Sequence, residues 1–210
     1  MPYTNKEWSK RIQYRTDLSG FVYHFTKPIV NDKGERELSA IKRLLKIIKE
    51  RTLLGSSTKS GFITGNRKAI CFQDAPIQGI TQNIIHEQEY REELGAKTRY
   101  VGVGLAFEKL YIFDNGGRPV FYEQKDIAKQ ILPKEDWWRI VDFNLSNRER
   151  IIDWTHEREW RLPEDEFKFD LSEAIIILPN DSLYKYLMNH LDQEDLRSIR
   201  GIISLTPVLY

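Results

Sequence analysis

The segment Glu157-Arg158-Glu159-Trp160-Arg161 concentrates side chains suited to chemistry. In an extended strand, a period of two puts Glu157, Glu159 and Arg161 on one face and Arg158 and Trp160 on the other. Two carboxylates beside a guanidinium can move a proton or stabilise positive charge, and they can equally form a surface ion-pair network. A helix would pair Glu157 with Arg161 instead. The strand is the better reading because Pro163 follows closely and Asp153-Trp154-Thr155 carries no long helical pattern. A second candidate lies near the start, where Tyr23-His24-Phe25-Thr26 sets an imidazole and a hydroxyl at the end of a strand-like run closed by Lys27-Pro28.

Several chemistries are disfavoured by spacing. His86-Glu87 has Tyr90 where a zinc-binding pattern needs histidine, and His156-Glu157 has Trp160 there, so no metal site is expected. Gly102-Val103-Gly104 lacks a third glycine at Phe107, and no lysine-bearing phosphate loop is present. No serine stands in a nucleophile elbow. The single cysteine, Cys71, sits in the apolar run Ala69-Ile70-Cys71-Phe72 and reads as a packing residue.

The elements that must position these residues read as α+β. Leu38, Ile41, Leu44, Leu45 and Ile48 form a helical stripe within residues 38–54, with Lys42, Arg43, Lys46 and Lys49 outside it. A Gly- and Ser-rich loop over 55–66 precedes the Cys71 strand, and residues 81–94 read as a polar surface helix. Tyr100 to Phe107 is a strand whose Gly102 and Gly104 allow close backbone approach. Tyr111-Ile112-Phe113 and Pro119-Val120-Phe121-Tyr122 read as a hairpin around Asn115-Gly116-Gly117. Residues 123–145 read as helix broken at Pro133, with Trp137 and Trp138 over the core. At the end come a strand from Ala174 to Leu178, a helix capped by Asn180 or Asp181 and running to about Leu191, and a strand from Gly201 to Leu205.

A chain of 210 residues with 40% hydrophobic and 12% aromatic residues supports one domain over 1–210, with 1–19 a candidate N-terminal extension. The lone cysteine and the lack of a signal-like apolar stretch point to the cytoplasm, and no apolar run is long enough to cross a membrane. With 32 Lys and Arg against 31 Asp and Glu, the formal charge of +1 does not advertise nucleic-acid binding.

Four pieces in order carry a resemblance: Tyr23-His24-Phe25-Thr26; Ile70-Cys71-Phe72-Gln73-Asp74; Gly102-Val103-Gly104-Leu105-Ala106-Phe107 with Gly116-Gly117-Arg118-Pro119-Val120-Phe121-Tyr122; and Glu157 to Arg161. Over about residues 20–178 the chain resembles the AbiGi-like abortive phage resistance proteins, within the wider ADP-ribosyltransferase-like group. It departs at Gln73-Asp74, where the pattern is nearer Thr-Glu.

The resemblance implies a split, mostly antiparallel sheet with flanking helices and NAD as co-substrate. It implies that His24 holds the nicotinamide-side ribose or pyrophosphate, supported by Thr26, and that Glu159 binds a ribose hydroxyl and stabilises the positive sugar. Glu157 would take a proton from the acceptor, Tyr111 or Tyr122 would stack on nicotinamide, and Arg67 would touch a phosphate. The implied activity is ADP-ribosylation of a nucleic acid or protein in phage defence or a toxin-antitoxin pair, the partner being that acceptor or a cognate antitoxin or toxin. Each residue also has a structural reading: satisfied backbone for His24 and Thr26, ion pairs for Glu157, Glu159 and Arg161, packing for the tyrosines, a solvated charge for Arg67. Two other functions stay open: an inactive defence or antitoxin-type interaction protein, motivated by Gln73-Asp74, and a metal-independent nucleic-acid-binding or nuclease module using Lys42, Arg43, Lys46 and Lys49.

Overall fold

The computed structural model describes residues 2–30, 36–58, 61–93 and 100–209. The first helix, α1 (Asn5–Gln13), opens on a capping box in which Thr4 Oγ1 accepts the Glu7 N–H at 3.3 Å and the Glu7 carboxylate accepts the Thr4 N–H at 2.8 Å. Then follow β1 (Phe21–Phe25), β2 (Ile29–Val30), β3 (Arg36–Leu38), α2 (Ala40–Glu50), β4 (Thr52–Leu54), β5 (Ile70–Gln73), α3 (Ile77–Glu89), β6 (Gly104–Glu108) and α4 (Lys109–Asp114). The middle of the chain supplies β7 (Arg118–Pro119), β8 (Phe121–Glu123), α5 (Lys125–Ile131), a 3-10 helix (Lys134–Arg139), β9 (Ile140–Asp142) and a 3-10 turn (Thr155–Glu157). The rest is β10 (Glu159–Leu162), β11 (Glu166–Lys168), a 3-10 turn (Leu171–Glu173), β12 (Ile175–Leu178), α6 (Asp181–Met188), α7 (Gln193–Ser198), β13 (Gly201–Ser204) and α8 (Thr206–Leu209).

These elements make an α+β architecture gathered in two compact units. The first comprises Met1–Val22, Leu53–Ala75 and Glu108–Phe167. Its centre is the antiparallel ribbon β5, β10, β7, with Glu159 opposite Gln73, Trp160 opposite Phe72, Arg161 opposite Cys71 and Leu162 opposite Ile70. Residues directly opposite share a face, so alternation divides the ribbon into an apolar side with Ile70, Phe72 and Leu162 and a polar side with Cys71, Gln73, Glu159 and Arg161. Ile70, Phe72 and Leu162 are almost fully buried, each contributing about 1.5–3 kcal/mol by leaving water. The polar side is also covered, since Cys71 packs against the cluster Ile63, Ala69 and Trp138.

The second unit comprises Tyr23–Thr52, Pro76–Phe107 and Lys168–Tyr210. It holds a mixed arrangement in the order β13, β12, β6, β1, with β12 parallel to β13 and antiparallel to β6. Helix α2 buries Ile41, Leu44, Leu45, Ile47 and Ile48, and it packs against α6. Gly104 meets the expectation of close approach: a Cβ there would collide with the His24 carbonyl. Among the described residues no helix is long and apolar enough to cross a membrane.

Local structure departs from the sequence reading in several places. Tyr111-Ile112-Phe113 is not a hairpin strand but the centre of α4. The Asn115, Gly116 and Gly117 N–H groups donate to Tyr111, Phe113 and Ile112 carbonyls, so the expected reversal closes a helix and buries Ile112. The helix expected over 123–145 stops at Ile131, before Pro133, and Ile140–Asp142 leaves it to pair in parallel with β8. Helix α2 ends early, at Glu50, because Arg51 turns left-handed at φ 50°. Helix α3 starts at Ile77 and ends at Glu89; Leu94 of the expected helix and Ser60 of the expected loop lie outside the described residues.

Candidate functional site

Arg161 organises the polar side of the β5–β10 ribbon. Its Nε donates to Glu159 Oε1 at 2.8 Å and its Nη2 to Glu159 Oε2 at 3.3 Å. Nη1 donates to the Trp138 and Ile140 carbonyls at 2.7 and 3.0 Å, and Nη2 also reaches the Phe62 carbonyl at 3.2 Å. One Nε, two Nη1 and two Nη2 contacts occupy every N–H a guanidinium has. Burial disfavours the Arg161 charge, but the Glu159 carboxylate and Cys71 act the other way and the balance raises its pKa.

Three more groups surround Glu159. Its N–H donates to the Tyr122 hydroxyl at 2.7 Å. Burial pushes the Tyr122 phenol well above its ordinary range, the Glu159 N–H pulls it down, and the Glu159 and Glu157 carboxylates raise it further, so it keeps its proton at any physiological pH. Burial also pushes the Cys71 thiol up, reinforced by Glu159 and opposed by Arg161, which suits the packing role expected of it. Gln73, opposite Glu159, is buried, and its Oε1 has no hydrogen-bond partner among the described residues.

The other side of the same ladder end carries an ion pair. Asp74 accepts from Lys109 Nζ at 2.7 Å, and Lys109 lies 5.9 Å from the centre of the Trp160 ring. Burial raises the Asp74 pKa, against the pull of Lys109, a hydrogen bond from Trp160, and Arg158. The Asp74 N–H donates to the Glu157 and Arg158 carbonyls at 3.1 and 3.3 Å, tying the end of β5 to the turn before β10.

The expected shared face of Glu157, Glu159 and Arg161 is therefore corrected. Glu157 ends the 3-10 turn Thr155–Glu157, and Arg158 follows in the left-handed region at φ 45°, so strand alternation begins only at Glu159. Of the residues expected at a site, the structure brings Glu159, Arg161 and Tyr122 together, with Glu157 close enough to act on the Tyr122 phenol. Arg67 instead donates to the Pro163 carbonyl at 2.7 Å. Tyr111 lies on α4 with its ring 5.9 Å from that of Phe167. His24 and Thr26 belong to the second unit, where the buried Thr26 hydroxyl shares its proton between the Val103 and Ala40 carbonyls at 3.0 and 3.2 Å.

Sequence reasoning overlooked Lys109 and Trp138, since nothing local marks a lysine 35 positions from its aspartate or a tryptophan whose carbonyl matters. Gln73 was visible only as a departure from a pattern. Comparison with known proteins finds no matching family model, no matching curated protein and no matching solved structure.

Proposed function

We propose that the chain is an NAD-consuming ADP-ribosyltransferase whose reaction centre is built on Glu159. The observation that carries this reading is a buried carboxylate held at two oxygens by Arg161 at the start of a strand, beside a protonated tyrosine and one turn after a second carboxylate. The ordered motifs from Tyr23 to Arg161 supply the choice of NAD and of the split, mostly antiparallel fold of that group. In the reaction the bond between nicotinamide nitrogen and the sugar carbon breaks, and its electron pair leaves with nicotinamide. Glu159 binds a ribose hydroxyl and stabilises the positive sugar more strongly than the ground state. The acceptor nucleophile then bonds to the sugar carbon and passes its proton to Glu157. His24 holds the ribose or pyrophosphate, Thr26 supports its strand end, and the aromatic contact to nicotinamide falls to Tyr122. The acceptor is a nucleic acid or protein, and the setting is cytoplasmic phage defence or a toxin-antitoxin pair.

Incubating the chain with NAD and candidate nucleic acids or proteins tests this directly. Nicotinamide release is expected to fall by about 10²–10³ in Glu159→Gln with its fold intact. Unchanged NAD in the wild-type reaction would count against the enzyme. A second reading, an inactive interaction protein of the same fold, is favoured by the saturated Arg161 network, which works as a structural clasp with no ligand. Co-purification of a partner without NAD binding by calorimetry would select it.

A further inference from the structure

Gln73 is the part of the Glu159 site that the protein itself leaves unsatisfied. Its side chain belongs to a residue only 8% exposed, and its Oε1 finds no donor among the described residues. Burying such an acceptor unpaired costs about 1–3 kcal/mol, so its presence calls for a reason. Register sets Gln73 directly opposite Glu159, itself 7% exposed, and cross-strand partners project from one face with Cβ atoms about 4.5–5.5 Å apart. Gln73 ends β5 and Glu159 begins β10, so the pair closes the ladder rather than lying in its middle.

The neighbours have no donor to spare. Every Arg161 N–H is already used, and the Glu159 N–H goes to Tyr122. The other buried side-chain oxygen without a partner among the described residues, Thr64 Oγ1, stands two positions after Phe62, whose carbonyl binds Arg161. Both unsatisfied oxygens thus fall on segments that frame the Arg161–Glu159 pair.

We propose that Gln73 and Glu159 together read a vicinal diol, Gln73 Oε1 accepting one hydroxyl proton and Glu159 the other, and that this diol is the nicotinamide-side ribose of NAD. The inference rests on the NAD reading above and adds to it a specificity residue. Two acceptors at adjacent ladder positions match two donors on adjacent carbons. A ligand lacking either hydroxyl leaves one buried acceptor unpaired, which is how a polar site rejects a close analogue.

Calorimetry on the full chain tests it with NAD and two analogues, each lacking one hydroxyl of the nicotinamide-side ribose. Wild type is expected to bind NAD about tenfold or more tighter than either analogue. Gln73→Met is expected to bind NAD about tenfold more weakly and to lose discrimination against one analogue only, with a melting temperature equal to or above wild type because an unpaired acceptor has gone. Gln73→Leu serves as a second variant, and if neither folds the wild-type comparison decides: discrimination against both analogues supports the diol, and discrimination against one or none overturns it. Equal NAD affinity in wild type and Gln73→Met, with both discriminations kept, also overturns it. If wild type binds and cleaves NAD while Gln73→Met is indifferent, only this inference falls. If wild type does not bind NAD, the transferase reading falls with it.

Discussion

Arg161 reads in the sequence as an ion-pair partner, yet most of its contacts are to backbone carbonyls far along the chain. Trp138, Ile140 and Phe62 are joined through it to Glu159. Removing one partner of a buried pair strands the other, so Arg161→Leu is expected to cost about 3–5 kcal/mol in urea unfolding. Glu159→Gln keeps an acceptor for Arg161 and is expected to cost less. The Cys71 thiol supplies an independent check on the polar face. Burial and Glu159 raise its pKa, so the thiolate is scarce near neutrality. Its alkylation by a maleimide is expected to be more than about tenfold slower than that of free cysteine at pH 7.5 (roughly), accelerating only as the pH rises above the ordinary thiol range. An alkylation rate equal to free cysteine would refute that environment.

At the scale of elements, local chemistry was a good guide wherever a segment's own residues decide its shape. Asn180, one of two expected caps, accepts the Leu183 N–H at 3.0 Å and starts α6 at Asp181. Asn180→Ala is expected to lower stability by about 1 kcal/mol in urea titration, and Asp181→Ala by less. The stripe of α2 places Leu44 and Ile48 fully inside, so Leu44→Ala is expected to cost about 2–5 kcal/mol, whereas Lys46→Ala on the exposed side should stay within about 0.5 kcal/mol. Tyr111-Ile112-Phe113 failed this logic, because three apolar residues before Asn-Gly-Gly suit a strand and a short helix alike. Burial of Ile112 and the packing of Gly117 on it chose the helix.

For the molecule as a whole, the near-balance of 32 basic and 31 acidic residues argues against an affinity for nucleic acid that comes from net charge. Random duplex DNA is therefore expected to give no anisotropy change at about 150 mM salt, and tight binding lost steeply with added salt would revive the basic face of α2 as an interface. Composition, the α+β alternation, the α2 stripe, the Asn180 cap and the Glu159–Arg161 alternation all follow from residues close in sequence, where propensity and periodicity act directly. The partners of Arg161, the break between Glu157 and Glu159, the Asp74–Lys109 pair and the unmet Gln73 acceptor depend on ladder register and long loops. Such contacts join residues tens of positions apart, and which donor meets which acceptor is decided by how the whole chain packs. Tertiary structure alone therefore turned a pair of glutamates into one clasped carboxylate with an open acceptor across from it.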